Sequence, residues 1–248
     1  MSDCDRTALF SNGDGFVALN SPVKIQILDF LESCSRSFDE IVKHTGKAKS
    51  TVSVHLNDLR SFGLVEEEYD QEDKRRKTYH LKCEHMAHSQ PPIIKHYKNV
   101  LETLSSSQLE KHGCFKCFFR AIQFGFDAHG INSDPIMRKI GKDIGVSISS
   151  NFFSKDIEYL VQELSVFWKR YQMGNMYLAD SEPLIIAVEK CFDYKIISTI
   201  GKNLCSFTEG IIEGAIVTSL GISCCVQEIE CCGNGKDKCL FIVDFLKK

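Results

Sequence analysis

The stretch SCCVQEIECCGNGKDKCLFIV, residues Ser223–Val243, organises the C-terminal half of this chain. Apolar and β-branched residues lie on both sides of the turn Gly233-Asn234-Gly235, and this pattern predicts a β-hairpin. The stretch holds five of the chain's twelve cysteines, namely Cys224, Cys225, Cys231, Cys232 and Cys239. Thiols and a carboxylate held close together on a rigid hairpin either bind a soft metal or exchange disulfides.

The residues before this stretch predict a mixed domain. Apolar residues at helical spacing predict a helix over 156–173, ended by Gly174, and a second over 207–220, ended by Gly221. Short apolar runs at 176–179 and 184–188 predict two strands between those helices. The order of helices, strands, helix and hairpin predicts an α+β domain with a mainly antiparallel sheet.

The N-terminal part carries a different pattern, three short helices followed by two strands. Ser21-Pro22 starts the first helix, and Ser37 with Glu40 has the spacing of a capping box at the start of the second. The third helix runs over 49–62, and strands over 64–69 and 77–81 enclose a basic tip. This order predicts a winged helix-turn-helix, with residues 1–20 as a loose arm before it.

The third helix and the wing supply candidate DNA contacts. Val52, Leu56 and Leu59 form the inner face of the helix, so the polar residues around them point outward. Side chains of this kind read base edges in the major groove, and cations at the flanks and on the wing hold phosphates. The candidates are Lys47, Lys49, Ser50, Thr51, Ser53, Val54, Asn57, Lys74, Arg75 and Arg76.

The same residues resemble a known family. STVSVHLNDLR at 50–60, FGLV at 62–65 and KTYHL at 77–81 are similar to ArsR-type winged-helix repressors, over about residues 20–82. This resemblance implies binding to double-stranded promoter DNA. The chain departs from the pattern at 46–49, where GKAK offers no Ser or Asn cap, and it shows no metal-binding cluster within this module.

The C-terminal stretch carries a second resemblance. Glu228, Cys231, the glycine turn, Cys239 and Phe241 resemble the end of the vinyl-4-reductase domain, over about residues 115–246. Together the two halves look like the methanogen-specific vinyl-4-reductase-domain regulators, redox-responsive transcription factors of archaea. The resemblance does not imply reductase activity. The chain shows no glycine motif for a nucleotide, so we expect a regulator without an organic cofactor rather than an enzyme.

The resemblance implies two roles for the cysteines. Related regulators of phenol catabolism hold zinc through Cys, Glu, Cys and Cys, which implies the ligands Cys205, Glu228, Cys231 and Cys239. The methanogen regulators imply redox switches instead, with the candidates Cys205, Cys224, Cys225, Cys231, Cys232 and Cys239. The two roles are compatible, because oxidation of a zinc thiolate expels the metal. The CxxC at Cys114–Cys117 is either a redox pair, half a metal site or a pair of packed thiols.

Composition sets the remaining expectations. The chain has 248 residues, 43% hydrophobic and 25% charged, with a net charge of −3, which argues against a uniformly basic nucleic-acid binder. No apolar run approaches the roughly 20 residues that span a bilayer, and no signal peptide is visible, so we expect no membrane partner and a cytoplasmic protein. Twelve cysteines in that compartment indicate metal binding, redox sensing or a strongly reducing host.

The predicted organisation is a winged helix-turn-helix over 1–85, a linker and connector helix over 86–113, and a sensor domain over 114–248. Pro91-Pro92 suggests the boundary. The connector helix either pairs with its mate in a homodimer or packs on the second domain. The main functional hypothesis is a redox-responsive regulator. The alternative keeps a structural zinc site and makes the effector a small apolar ligand held among Phe124, Phe126, Phe152, Phe153 and Trp168.

Overall fold

The structure is a computed structural model, and it describes residues 6–32, 34–69, 77–105, 113–191 and 200–246. The chain divides into two compact units. The first comprises residues 1–92 with 130–133, and the second comprises residues 93–129 with 134–248.

The described residues of the first unit form three helices and two small sheets. Its elements are β1 (Ala8–Ser11), β2 (Phe16–Leu19), α1 (Pro22–Leu31), β3 (Arg36–Ser37), α2 (Phe38–Thr45), α3 (Lys49–Ser61), β4 (Val65–Tyr69), β5 (Lys77–Leu81), β6 (Glu84–Ser89) and β7 (Ile131–Asn132). One sheet has the order β2-β1-β6-β7 and the other β3-β5-β4, with antiparallel neighbours throughout. Their core is mainly aliphatic, and Ile27, Leu28, Leu56 and Leu59 are among its most buried members.

The helices of this unit begin as the sequence predicts. Ser21 is the N-cap of α1 and Pro22 its first residue. The capping box of α2 is complete, because the Ser37 side chain accepts from the Glu40 N–H and the Glu40 carboxylate accepts from the Ser37 N–H. α3 starts after Ala48, which makes no side-chain cap, and it buries Val52, Leu56 and Leu59.

Two expectations for this unit are wrong. Residues 1–20 are not only a loose arm, because β1 and β2 form a hairpin around Gly13 and Gly15, both with positive φ. The segment 86–113, predicted as a linker and connector helix, begins within β6, which pairs with β1. The backbone groups of β1 and β6 satisfy each other's hydrogen bonds. The two strands lie more than seventy residues apart in the chain, so local sequence patterns could not predict their pairing.

The described residues of the second unit form five α-helices and one antiparallel sheet. Its elements are α4 (Ile94–Ser105), α5 (Gly113–Ala128), α6 (Asp134–Ile148), α7 (Ile157–Arg170), β8 (Asn175–Ser181), β9 (Leu184–Glu189), α8 (Ser206–Leu220), β10 (Cys224–Glu230) and β11 (Lys238–Phe245). The sheet order is β10-β11-β9-β8. The predicted α+β class with an antiparallel sheet is therefore confirmed.

Two features fix the core of this unit. Trp168 of α7 and Phe124 of α5 are buried with aliphatic residues of α8 and the sheet. α6 and α8 approach so closely that a Cβ built at Gly210 would overlap the Arg138 carbonyl oxygen. Glycine is therefore required at this crossing, because any side chain would push the helices apart.

The hairpin predicted from the opening stretch is present. β10 pairs with β11 in antiparallel register, with Glu228 opposite Phe241. The turn is a short 3-10 segment over Cys232–Asn234, ended by Gly235 with φ of 79°. Among the described residues, no helix is both long and apolar enough to cross a membrane.

Candidate functional site

Four buried donor groups converge at one end of the hairpin. The ligand atoms of Cys205, Glu228, Cys231 and Cys239 all lie within 4.8 Å of one another. Each of these residues is at most 3% exposed. The structure thus brings together the four residues that the resemblance implied as metal ligands, and we call this group the thiol site.

The donors come from different local structures. Cys205 is the N-cap residue of α8, Glu228 lies on β10, and Cys239 lies near the start of β11. Along β10, alternate residues face the core, and Glu228 is one of them. The register shifts between Glu228 and Glu230. A bulge of this kind re-aims the following residues, and it lets Cys231 join Glu228 on the buried side.

The Glu228 carboxylate is fixed by one oxygen and leaves the other available to a metal ion. Its Oε2 accepts hydrogen bonds from the backbone N–H groups of Leu204 and Cys205, both at 3.2 Å. Its Oε1 is buried and, within the described part of the chain, has no hydrogen-bond partner. Burial, followed by the neighbouring Cys231 thiol, raises the pKa of this carboxyl to about 8. A buried oxygen without a partner is costly, and a cation would satisfy it.

The thiols have the spacing of metal ligands. The Sγ atoms of Cys205 and Cys239 are 3.7 Å apart. Thiolates about 2.3 Å from a tetrahedral zinc ion would be ~3.8 Å apart, since the edge of a tetrahedron is about 1.63 times its radius. The N–H of Cys232 points at Cys239 Sγ (3.4 Å) and the N–H of Gly233 at Cys231 Sγ (3.3 Å), so backbone donors hold both sulfur atoms in place. Three thiolates and a carboxylate therefore suit a tetrahedral, soft divalent ion such as zinc.

A fifth donor, Cys191, was missed from the sequence. It follows β9, is 2% exposed, and its Sγ lies 3.8 Å from Cys205 Sγ. In the sequence it stands alone, without a neighbouring cysteine or a local motif. Only the pairing of β9 with β11, which sets Val188 opposite Cys239, places it beside the thiol site.

The predicted redox cysteines fall into two groups. Cys205, Cys231 and Cys239 belong to the thiol site, and Cys232 lies beside Cys239. Cys224 and Cys225 lie at the opposite end of β10, paired with Phe245 and Asp244, and the structure does not bring them into the site. Cys224 is buried, and burial raises its pKa to about 12. Cys225 is exposed, with Arg138 3.7 Å from its sulfur.

Of the CxxC in α5, Cys117 is not one of the four donors of the thiol site. Cys117 is fully buried in α5. The Cys114 side chain lies outside the described residues.

A network of charged side chains lies next to Glu228. Glu209 of α8 accepts a hydrogen bond from the Glu228 N–H and pairs with Arg138 of α6 at 2.9 Å. Arg138 also binds Glu213 at 2.6 Å and the Val226 carbonyl at 2.7 Å. The network ties α6, α8 and β10 together next to the thiol site. Since buried charges need partners, Arg138 is central to this arrangement.

In the first unit, α3 presents the predicted polar face. Its core side is buried, and the following candidates are all exposed: Lys47, Lys49, Ser50, Thr51, Ser53, Val54 and Asn57. Val54 is 57% exposed, so its methyl groups are available for contact with a partner. Lys49 also pairs with Asp39 at 2.8 Å. The candidates Lys74, Arg75 and Arg76 lie outside the described residues.

Two of the three consecutive glutamates of β4, Glu66 and Glu67, pair with cations of the first unit. Glu67, whose side chain is 4% exposed, pairs with Arg60 at 3.0 Å and Lys77 at 2.9 Å. Glu66 pairs with Lys82 at 3.0 Å. These carboxylates therefore present less negative charge to a phosphate backbone than the sequence suggests.

The aromatic residues proposed to hold a small ligand do not share one environment. Phe124 and Trp168 are in the core, and Phe152 is partly buried against it. Phe126 and Phe153 are exposed, the latter by 84%. Phe153 lines an open surface depression with Tyr159 and Val166.

Two family models match separate parts of the chain. Residues 21–67 match "Bacterial regulatory protein, arsR family", and residues 184–245 match the vinyl-4-reductase domain. The first match covers α1 to β4, and the second covers β9 to β11 with the whole thiol site. The chain thus has an ArsR-type helix-turn-helix region followed by an α+β region similar to the vinyl-4-reductase domain.

Proteins of known sequence are similar to part of this chain. Two uncharacterized proteins of Methanocaldococcus jannaschii are 27% and 28% identical over 127 and 114 residues. These matches cover 50% and 46% of this chain, and 72% and 66% of the relatives.

Among solved structures, a vinyl-4-reductase family protein of M. jannaschii is similar at 21% identity and a TM-score of 0.41, covering 62% of this chain and 92% of that one. The phenol-responsive sensory domain of the transcription activator PoxR, solved with phenol, is similar at 12% identity and a TM-score of 0.38, covering 79% and 90%. At these TM-scores, the similarity supports no inference about a ligand of this chain.

Proposed function

We propose that this chain, with an ArsR-type region before a vinyl-4-reductase-like region, is a redox-responsive, DNA-binding transcription regulator. In this proposal α3 binds promoter DNA, and the state of the thiol site, with zinc or without it, controls that binding. The observation that carries the proposal is the convergence of three buried thiols and Glu228 in a chain that also presents an exposed polar recognition helix.

The DNA-binding half of the proposal rests on the outer face of α3. Hydroxyl and amide groups at Ser50, Thr51, Ser53 and Asn57 suit hydrogen bonding to base edges, and the exposed Val54 suits contact with a thymine methyl group. Lys47 and Lys49 would contact phosphates at the start of the helix. We expect a homodimer, because helix-turn-helix proteins commonly read two half-sites about 34 Å apart.

The sensing half rests on the chemistry of the thiol site. When bound, a zinc ion would satisfy the Glu228 Oε1 and offset part of the negative charge of the Cys205, Cys231 and Cys239 thiolates. When an oxidant such as peroxide takes two electrons from one of these thiolates and a second thiol, the resulting disulfide removes at least one donor, so the metal affinity falls and the metal leaves. Loss of the metal would free the start of α8 from its link to β10 and β11, because its N-cap residue Cys205 is one of the ligands.

The first test compares DNA binding in two redox states. Duplexes selected from a random pool by the reduced full chain would be titrated under anaerobic conditions and after mild peroxide treatment, with anisotropy as the readout. We expect a change in affinity of at least about tenfold, or 1.4 kcal/mol, restored by dithiothreitol. Equal affinities in the two states would contradict redox control.

A second test separates the DNA face from the fold. Asn57→Ala and Val54→Ala change exposed residues of α3, so we expect weaker DNA binding with unchanged circular dichroism. Asn99→Ala, the same replacement at an exposed position of α4, is the matched control and should leave DNA affinity unchanged. Normal DNA binding by both α3 variants would refute the assigned interface.

A third test addresses the metal. Metal content and free thiols of anaerobically purified protein would be measured before and after oxidation. A stoichiometric zinc ion, released as thiols are lost, would support a zinc-dependent switch, and loss of thiols in pairs without metal would support a disulfide switch. DNA binding that depends on a small apolar molecule and ignores the thiol state would favour the alternative regulator.

A further inference from the structure

The thiol site has more donors than a tetrahedral ion can use. Besides the four donors already described, Cys191 lies with its Sγ 3.8 Å from Cys205 Sγ. It also interacts with the Cys239 thiol. Cys191 is 2% exposed, so its sulfur is inside the protein with the other thiols.

The distance to Cys205 places Cys191 at the spacing of two thiolate ligands of one ion. Cys205 Sγ is 3.8 Å from Cys191 Sγ and 3.7 Å from Cys239 Sγ. Both values match the ~3.8 Å edge expected for thiolates around zinc, with metal–sulfur bonds of about 2.3 Å, and the larger Cd²⁺ ion requires a somewhat longer edge. Cys191 is therefore one such edge away from a ligand of the centre.

Glu228 can leave the metal without losing its hydrogen bonds to the backbone. Its Oε2 accepts from two backbone N–H groups, those of Leu204 and Cys205, and these bonds remain when Oε1 gives up a metal. The exchange of a carboxylate for a thiolate also keeps the charge of the coordinated ion unchanged, since both donors carry one negative charge. The proton that leaves the Cys191 thiol can be taken up by the released carboxylate or by solvent.

We propose that Cys191 is a fourth thiolate ligand of this centre for thiophilic ions. With a soft divalent ion such as Cd²⁺, the ligands are Cys191, Cys205, Cys231 and Cys239, and Glu228 stays hydrogen-bonded to the backbone. With zinc, which accepts carboxylates readily, Glu228 keeps the fourth position. This inference rests on the proposed metal site and specifies its donor set.

The test counts thiolates around Cd²⁺. The reduced full chain would be titrated anaerobically with Cd²⁺, and the sulfur-to-cadmium charge-transfer absorption at stoichiometric loading would be measured together with the cadmium NMR chemical shift. We expect a four-thiolate signal for the natural chain. Cys191→Ser and Cys191→Ala should lose about a quarter of the absorption, since one of four thiolates is removed, and Glu228→Gln should lose none.

Cys232→Ser is the matched control, because Cys232 is also a buried thiol beside Cys239 but is not one of the four proposed ligands. It should keep the full signal. A three-thiolate signal in the natural chain, or a loss in Cys232→Ser instead of the Cys191 variants, would overturn the role of Cys191. A natural chain without any Cd²⁺ charge-transfer band would overturn the proposed metal site itself. Fluorescence of Trp168 checks that each variant is folded.

Discussion

Replacement of Arg138 by Met tests whether the charged network behind Glu228 holds the second unit together. Arg138 donates to Glu209, to Glu213 and to the Val226 carbonyl, so it links α6, α8 and β10. Methionine keeps much of the apolar stem and removes the guanidinium. The change would leave two mostly buried carboxylates without their main cation, since the side chains of Glu209 and Glu213 are 13% and 10% exposed.

The size of the effect follows from what remains in the network. Removal of one partner from a buried ion pair costs about 3–5 kcal/mol. Glu213 keeps Lys142 at 2.8 Å and Glu209 keeps the Glu228 N–H, and the Arg138 side chain is 31% exposed, so water can replace part of the loss. We therefore expect a decrease of about 2–3 kcal/mol in the free energy of unfolding of this unit.

The assay uses the chain's single tryptophan. Trp168 is buried in the second unit, so its fluorescence during urea unfolding reports on that unit. Lys139→Met is the matched control, because Lys139 lies next to Arg138 on α6 and makes an i,i+4 pair with the exposed Asp143, worth about 0.3–0.5 kcal/mol.

A second replacement checks the mechanism. Glu209→Gln removes a buried negative charge that Arg138→Met leaves without its cation, and the Gln side chain can still accept from the Glu228 N–H. Adding Glu209→Gln to Arg138→Met should therefore restore about 1 kcal/mol of the free energy of unfolding. Equal stability losses for Arg138→Met and Lys139→Met, or no recovery in the double variant, would refute the reasoning.

Three further changes have definite expected results. Gly210→Ala should destabilise the second unit by at least about 1–3 kcal/mol in the Trp fluorescence assay, because the new Cβ would overlap the backbone of α6; an unchanged midpoint would contradict the close helix contact. Ser37→Ala should cost about 1 kcal/mol and speed amide exchange at the start of α2, because it removes the capping box; unchanged exchange would argue against it. Burial, then the Arg6 charge, holds the pKa of His85 below its ordinary value of 6.5, so its neutral form contributes stability above that pH that is lost as pH falls through the folded pKa. His85→Phe, which can keep the stacking on Phe10, should therefore lose less thermal stability than the natural chain between about pH 7 and pH 5 in circular dichroism melts, and parallel losses would contradict this.

Several structural elements of this protein could be predicted from the sequence because they depend on residues that are close together in the chain. The capping box of α2 needs only Ser37 and Glu40, which are close in the chain, and the buried stripe of α3 needs only helical spacing. The terminal hairpin follows from apolar runs around a glycine turn, so it was also predicted with nearly correct ends. In each of these cases the atoms that make the interaction belong to neighbouring segments of the chain.

Contacts between distant parts of the chain were not readable in this way. The hairpin of β1 and β2 looked like a loose arm because its partner β6 lies more than seventy residues away. Glu66, Glu67 and Glu68 are adjacent in the sequence, but the Glu67 side chain is buried between Arg60 and Lys77 once β4 and β5 pair.

The thiol site shows the same division. The sequence alone determined that a hairpin would carry Glu228, Cys231 and Cys239, because they lie close together in the chain, and Cys205 entered only through a family resemblance. The tertiary structure decided that Cys205 reaches these donors from the start of α8 and that Cys191 joins it from the end of β9. The physical reason is the sheet order β10-β11-β9-β8, which sets β9 beside β11 through backbone hydrogen bonds that no local pattern specifies.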